Sequence, residues 1–198
     1  MCNANVTKTK IKYPTFVNQS QIKQQGSNGY RFLLTIPFSG SFSKSELVVI
    51  LKNPSAANTT NCDRTISKVC NTAYYNGYSG VIILNLFPFR ATAATQVQTF
   101  YGLPNYNSIM KVNLRIIQKT CLSHDVVFAW GTDTIKGTGR FSNYYNNAIQ
   151  NITSTITTRT FYVLSCKCNK ICSAPHHSLV RYPRHGLRWR NKSALHKY

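Results

Sequence analysis

Apolar residues in this chain gather into short, nearly continuous runs rather than into helical stripes or strict alternation. Residues 47–52, 81–87, 126–130 and 161–166 are each rich in β-branched and aliphatic side chains. Runs of that length, apolar at successive positions, predict strands buried on both faces, the environment of a parallel sheet covered by helices. Successive runs begin roughly 35–45 residues apart, which leaves room for a crossover helix each time. Helices are expected at 63–76, with Asp63 as the N-cap, and at 92–102, 105–120 and 141–155. One further β-type run, 30–36, precedes the first buried strand and is followed by a turn of small polar residues. The pattern predicts an α/β fold: a three-layer α/β/α sandwich with a central, mainly parallel four-stranded sheet and an extra N-terminal β element.

The two ends of the chain have a different texture. Residues 1–29 are rich in Asn, Gln, Lys and Thr with little periodicity and read as a basic, mobile arm. Residues 30–179 read as a single domain. Residues 180–198 interleave Arg181, Arg184, Arg188 and Arg190 with Tyr182, Trp189 and Tyr198, a pattern suited to phosphates and single-stranded nucleic acid. The alternative is a solvated tail. The chain carries 24 Lys+Arg against 4 Asp+Glu, a net charge of +20. Such a surface favours polyanionic partners, nucleic acid or nucleotide, and half of the excess falls in the two ends. The scarcity of acids excludes chemistry that needs several carboxylates, because the whole inventory is Glu46, Asp63, Asp125 and Asp133.

No segment approaches the ~20 apolar residues of a membrane helix, and the first residues lack the apolar stretch of a secretory leader, so a cytoplasmic protein without a membrane partner is expected. Seven cysteines are an odd number without the spacing of a disulfide scaffold. Cys166, Cys168, Cys172 and His176 fall close together, but Cys-x-Cys is tighter than the Cys-x2–4-Cys pairs of structural zinc. Free thiols, no metal and no cofactor are the expectation.

Ligands of open α/β sheets bind beyond the carboxyl ends of the strands, so the residues following each run nominate a site. They are Asn53, Pro54 and Ser55 after the first run, and Asn85, Phe87 and Arg90 at the end of the second. Trp130 and Asp133 end the third, and His176 and His177 follow the fourth. Amide and imidazole groups both donate and accept, which suits them to reading a base edge or holding a water. Asp63 is the carboxylate nearest the first loop, and Arg64 beside it is a candidate phosphate contact. Each residue also has a plainer reading: Asn53 as a turn residue before proline, Asp63 as a helix cap, the histidines as surface groups.

Several blocks carry a family resemblance: Leu51-Lys52-Asn53-Pro54-Ser55-x-Ala57, Asp63-x-Thr65, Gly77-Tyr78-x-Gly80, Asn85-Leu86-Phe87-x-x-Arg90-Ala91-Thr92, Ala129-Trp130-Gly131 and Pro175-x-His177. Together they resemble the "domain of unknown function 1643" family of bacterial and viral proteins, from about Tyr30 to Leu179. A more distant similarity is to the uracil-DNA glycosylase superfamily, whose mismatch-specific branch has an Asn-Pro after its first strand, as Asn53-Pro54 stands here. That similarity implies that Asn53 positions an attacking water, that Asn85 reads the Watson–Crick edge of a flipped base, and that His177 stabilises charge on the leaving base. Pro54, Ser55, Phe87, Arg90, Trp130 and Asp133 would line the ligand, with Asp63 orienting the first loop. Ser178 stands where that superfamily has proline after the histidine, and the stretch before it is longer and cysteine-rich. Three functions follow as alternatives: a glycosylase-like hydrolase, a nucleic-acid-binding protein without catalysis, and a nucleotide or small-molecule binder.

Overall fold

The structure is a computed structural model that describes residues 11–27, 29–90, 100–129, 147–154, 156, 161–164 and 195–197. Its strands are β1 (Lys23–Gly26), β2 (Arg31–Pro37), β3 (Leu47–Leu51), β4 (Gly80–Asn85), β5 (Val126–Ala129), β6 (Phe161–Leu164) and β7 (Leu195–Lys197). They form one seven-stranded sheet in the order β1-β2-β4-β3-β5-β6-β7. Strands β4, β3, β5 and β6 run parallel to one another, whereas β1–β2, β2–β4 and β6–β7 are antiparallel pairs. The sheet is therefore mixed, and the expected mainly parallel four-stranded sheet is corrected accordingly. The run at 30–36 is long enough to pair along the free side of β4, where Leu34 stands opposite Ile83.

The continuous apolar runs are explained by a core on each side of the sheet. In β3, Leu47, Val49 and Leu51 face one cluster while Val48 and Ile50 face the other. Helix α1 (Arg64–Tyr75) covers the first face with Ile66, Val69, Cys70 and Ala73. Helix α2 (Tyr106–Cys121) covers the second with Ile109, Ile117 and Cys121, joined by Ala148, Ile149 and Ile152 of a third helix, α3, at residues 147–153. A strand with period two and a helix on each face leaves no polar position inside β3 or β5. Asp63 does cap α1, its carboxylate accepting from Ile66 N–H, and Gly77, at φ +81°, takes the left-handed turn that stops the helix. Of the helix expected at 92–102, residues 100–102 form a 3-10 turn and 92–99 lie outside the described residues.

Residues 11–27 are not the mobile arm that their composition suggested. Strand β1 pairs with β2, Ile11 bridges to Cys62, and Val17 bridges to Phe38. Tyr13, Val17 and Ile22 are buried in the α1-side core, and Phe16 stacks on Tyr74 with ring centroids 4.0 Å apart. The segment lacks periodicity because it is mostly irregular backbone, in which each apolar side chain fills a separate gap.

Candidate functional site

The carboxyl ends of β3 and β4 are joined more firmly than their strand lengths suggest. Leu51 stands opposite Asn85, and the ladder continues beyond it: Leu86 N–H donates to Leu51 O at 2.7 Å and Phe87 N–H to Lys52 O at 2.9 Å. The two exit loops thus leave side by side. The first leads to α1 on one face. The second runs along residues 29–31, with Arg31 N–H donating to Pro88 O at 2.7 Å, and leads on to α2 on the other face. Loops that part over adjacent strand ends mark the place where open α/β sheets hold ligands.

Asn85 sits at this parting, fully buried and clamped from two sides. Its Nδ2 donates to Arg31 O at 3.3 Å, and the amide of Asn113 on α2 donates to Asn85 O at 2.9 Å. A carbonyl only accepts, so the Asn85 nitrogen must face Arg31 and the oxygen must face away. That Oδ1 is buried with no hydrogen-bond partner among the described residues. Arg31 itself is 0 % exposed. Its Nη1 donates to Ala57 O at 2.6 Å, while Nε and Nη2 have no partner among the described residues. Burial, then the neighbouring Arg90 cation, pull its guanidinium down to about 10, with Asp63 and Tyr13 acting the other way.

The loop after β3 is held in shape by Asp63. One carboxylate oxygen caps α1 and the other accepts from Ala57 N–H at 3.2 Å. Pro54 is buried, Asn53 is half-buried and donates to Pro54 O at 3.3 Å, and the Ser55 hydroxyl is buried without a partner among the described residues. Arg90 reaches back over this loop, donating to Ser55 O at 3.4 Å and to Gln24 Oε1 at 3.1 Å. Tyr13 closes the far side, its hydroxyl donating to Asn58 O at 2.6 Å, and burial raises its pKa well above the usual phenol value.

The structure brings together Asn53, Pro54, Ser55, Asp63, Asn85 and Arg90 from the sequence reading. Phe87 goes elsewhere: it is buried in the α2-side core, edge-on to Tyr101 with centroids 6.2 Å apart. Arg64 opens α1 with an exposed side chain. Trp130, Asp133, His176, His177, the cysteine cluster and Arg181, Arg184, Arg188 and Arg190 lie outside the described residues, among which no metal-binding group occurs. Glu46 and Asp125 precede β3 and β5, so they lie at the opposite edge of the sheet. There Glu46 is 3.7 Å from His124 Nε2, and Asp125 accepts from the Tyr78 hydroxyl at 2.8 Å. Among the described residues the strand-end site holds two arginines and one carboxylate, whose oxygens both serve backbone amides. Behind it, across the sheet, a cavity of about 210 Å³ opens between α2 and α3, lined mainly by Leu86, Met110, Leu114, Ile117 and Ile152.

The family model for proteins of unknown function, DUF1643, matches residues 31–179, a span that begins at Arg31 and takes in every one of these loops. The chain belongs to the DUF1643 family. No curated protein and no solved structure matches it. In this DUF1643 protein Arg31 and Asn113 are the site residues that reading the sequence missed. Each had a signal. Arg31 is a charge inside an apolar strand run, and Asn113 stands at the four-residue spacing between Ile109 and Ile117 on the buried stripe of α2.

Proposed function

We propose that this protein holds a nucleobase at the ends of β3 and β4 and hydrolyses the N-glycosidic bond of a nucleotide or nucleic acid. The observation that carries the reading is the Asn85 amide. Its Nδ2 is held by Arg31 O, the backbone carbonyl of Asn85 is held by Asn113, and its Oδ1 is buried without a hydrogen-bond partner among the described residues. A fixed amide acceptor suits the N–H of a base edge, and leaving it unmatched is costly enough to discriminate between ligands. The four adjacent strands β4, β3, β5 and β6, all parallel, with a core on each face, support the same reading through the similarity of the strand-end blocks to uracil-DNA glycosylases.

The chemistry asks for little acid–base machinery. Water oxygen bonds to the anomeric carbon, the C–N bond pair leaves with the base, and the proton that the water sheds ends on the base. Asn53 would hold the water, Asn85 the base edge, and His177 the charge growing on the leaving base. Arg90 and the basic ends of the chain would hold phosphates.

A panel of uracil- and hypoxanthine-containing single-stranded oligonucleotides and mismatch-containing duplexes, together with free nucleotides, tests the reading by chromatography of released base. Release by the wild type, reduced on the order of 100-fold by Asn85→Ala, is expected. A wild-type chain that releases no base from any of them overturns hydrolysis. A second reading, binding without chemistry, is favoured by Asp63, whose two oxygens already accept backbone N–H groups and leave the site without a free carboxylate base among the described residues. Salt-sensitive oligonucleotide binding without base release would select it.

A further inference from the structure

We propose that Arg31 forms the floor of an anion subsite that takes the phosphate monoester of a nucleotide, a step that rests on the nucleobase reading of Asn85. The geometry of the guanidinium carries it. Nη1 is anchored on Ala57 O at 2.6 Å, and the groups left over, Nε and Nη2, are the two that form one edge of the fork. Parallel N–H groups on one edge are the arrangement that binds a carboxylate or phosphate through two oxygens. Arg31 is 0 % exposed, and no carboxylate among the described residues forms an ion pair with it. Asp63 acts on it only at a distance, with both carboxylate oxygens engaged by backbone amides, so among the described residues the buried cation lacks a contacting anion and an anionic ligand would supply one.

Two neighbours extend the subsite. The buried Ser55 hydroxyl lacks a partner among the described residues and can donate to a phosphate oxygen. Arg90 crosses the same loop through Ser55 O, close enough for its charge to depress ionisation of Arg31. Two adjacent cations suit a dianion, which a phosphate monoester is at neutral pH and a backbone diester is not. Depth argues the same way. A fully buried guanidinium is reached by a terminal phosphate, whereas a phosphate inside a polynucleotide carries a sugar on either side.

Calorimetric titration of the full chain separates these possibilities. The probes are inorganic phosphate, uridine and guanosine 5′-monophosphates, the matching nucleosides, and a dinucleotide without a terminal phosphate. A monophosphate is expected to bind at least about tenfold more tightly than its nucleoside, with the advantage lost in Arg31→Gln. Should Arg31→Gln fail to fold, Ser55→Ala and Arg90→Gln serve instead, each expected to weaken phosphate binding about threefold or more. Equal affinity for nucleotide and nucleoside overturns the subsite and leaves the nucleobase reading in place. A dinucleotide that binds as tightly as the monoester overturns the monoester assignment. Inorganic phosphate bound as tightly as any nucleotide supports the subsite and overturns the nucleobase reading.

Discussion

Asp63 shows how one residue can look catalytic in the sequence and act structurally in the fold. Its carboxylate joins the N-terminus of α1 to the loop that carries Asn53 and Ser55, through Ile66 N–H and Ala57 N–H. Ala57 O in turn holds Arg31. Loss of the cap costs about 0.5–2 kcal/mol, and leaving the buried Ala57 N–H unmatched adds about 1–3 kcal/mol. Asp63→Ala is therefore expected to destabilise by about 2–3 kcal/mol in urea unfolding, with Asp63→Asn less damaging because it keeps one acceptor. A loss below about 0.5 kcal/mol would show that the carboxylate does not hold the loop. The cap was legible from Asp63 standing just before a helix pattern. The bond to Ala57 was not, because it depends on how the loop folds back.

At the scale of elements, the outer pieces decide how the central strands are used. Strand β2 covers one side of β4 and delivers Arg31 beside Asn85, and residues 11–27 cover β2 and α1 in turn. Ile22 is 7 % exposed within that cover. Ile22→Ala is expected to cost about 2–4 kcal/mol. A change near zero in thermal or urea unfolding would return the segment to the status of a loose arm. The close approach of β4 to β2 has a similar check. A Cβ at Gly80 would stand 2.8 Å from Ile36 O and 3.0 Å from Pro37 Cα. Both neighbours are backbone, so Gly80→Ala must part the two strands, and a fall in nucleotide affinity alongside the fall in stability is expected. Unchanged affinity would mean that the spacing of β2 and β4 does not set the site.

At the scale of the molecule, positive charge dominates the composition, but buried neutral groups set part of the response to pH. Burial pushes the Cys62 and Cys121 thiols up to about 12, Cys70 lies well above its usual value, and Tyr13 is raised by burial as well. Their folded pKa values exceed the unfolded ones, so between about pH 9 and 12 the native state binds more protons than the unfolded chain. Stability should be unaffected by these groups below about pH 9 and fall as pH rises through that window. A melting temperature that stays flat from pH 8 to 11 would contradict it. The same burial predicts that Cys62, Cys70 and Cys121 resist alkylation at pH 8 until the chain is unfolded. Among the described residues no helix is long and apolar enough to cross a membrane.

The sequence by itself determined the pieces whose signals are local. Continuous β-branched runs gave β3 and β4 to within two residues and the starts of β5 and β6 to the residue, and an acidic cap before a periodic stretch gave α1. The strand-end loops with Asn53, Ser55, Asn85 and Arg90 followed from strand position alone. Tertiary structure decided what those loops do. Only the antiparallel pairing of β2 with β4 places Arg31 against Asn85, and only packing shows that Phe87 turns into the core while Asp63 is occupied by backbone amides. Pairing across tens of residues and the loss of water around a side chain leave no periodic trace in sequence. They fix which polar groups are left buried without partners among the described residues, and on those groups the proposed site rests.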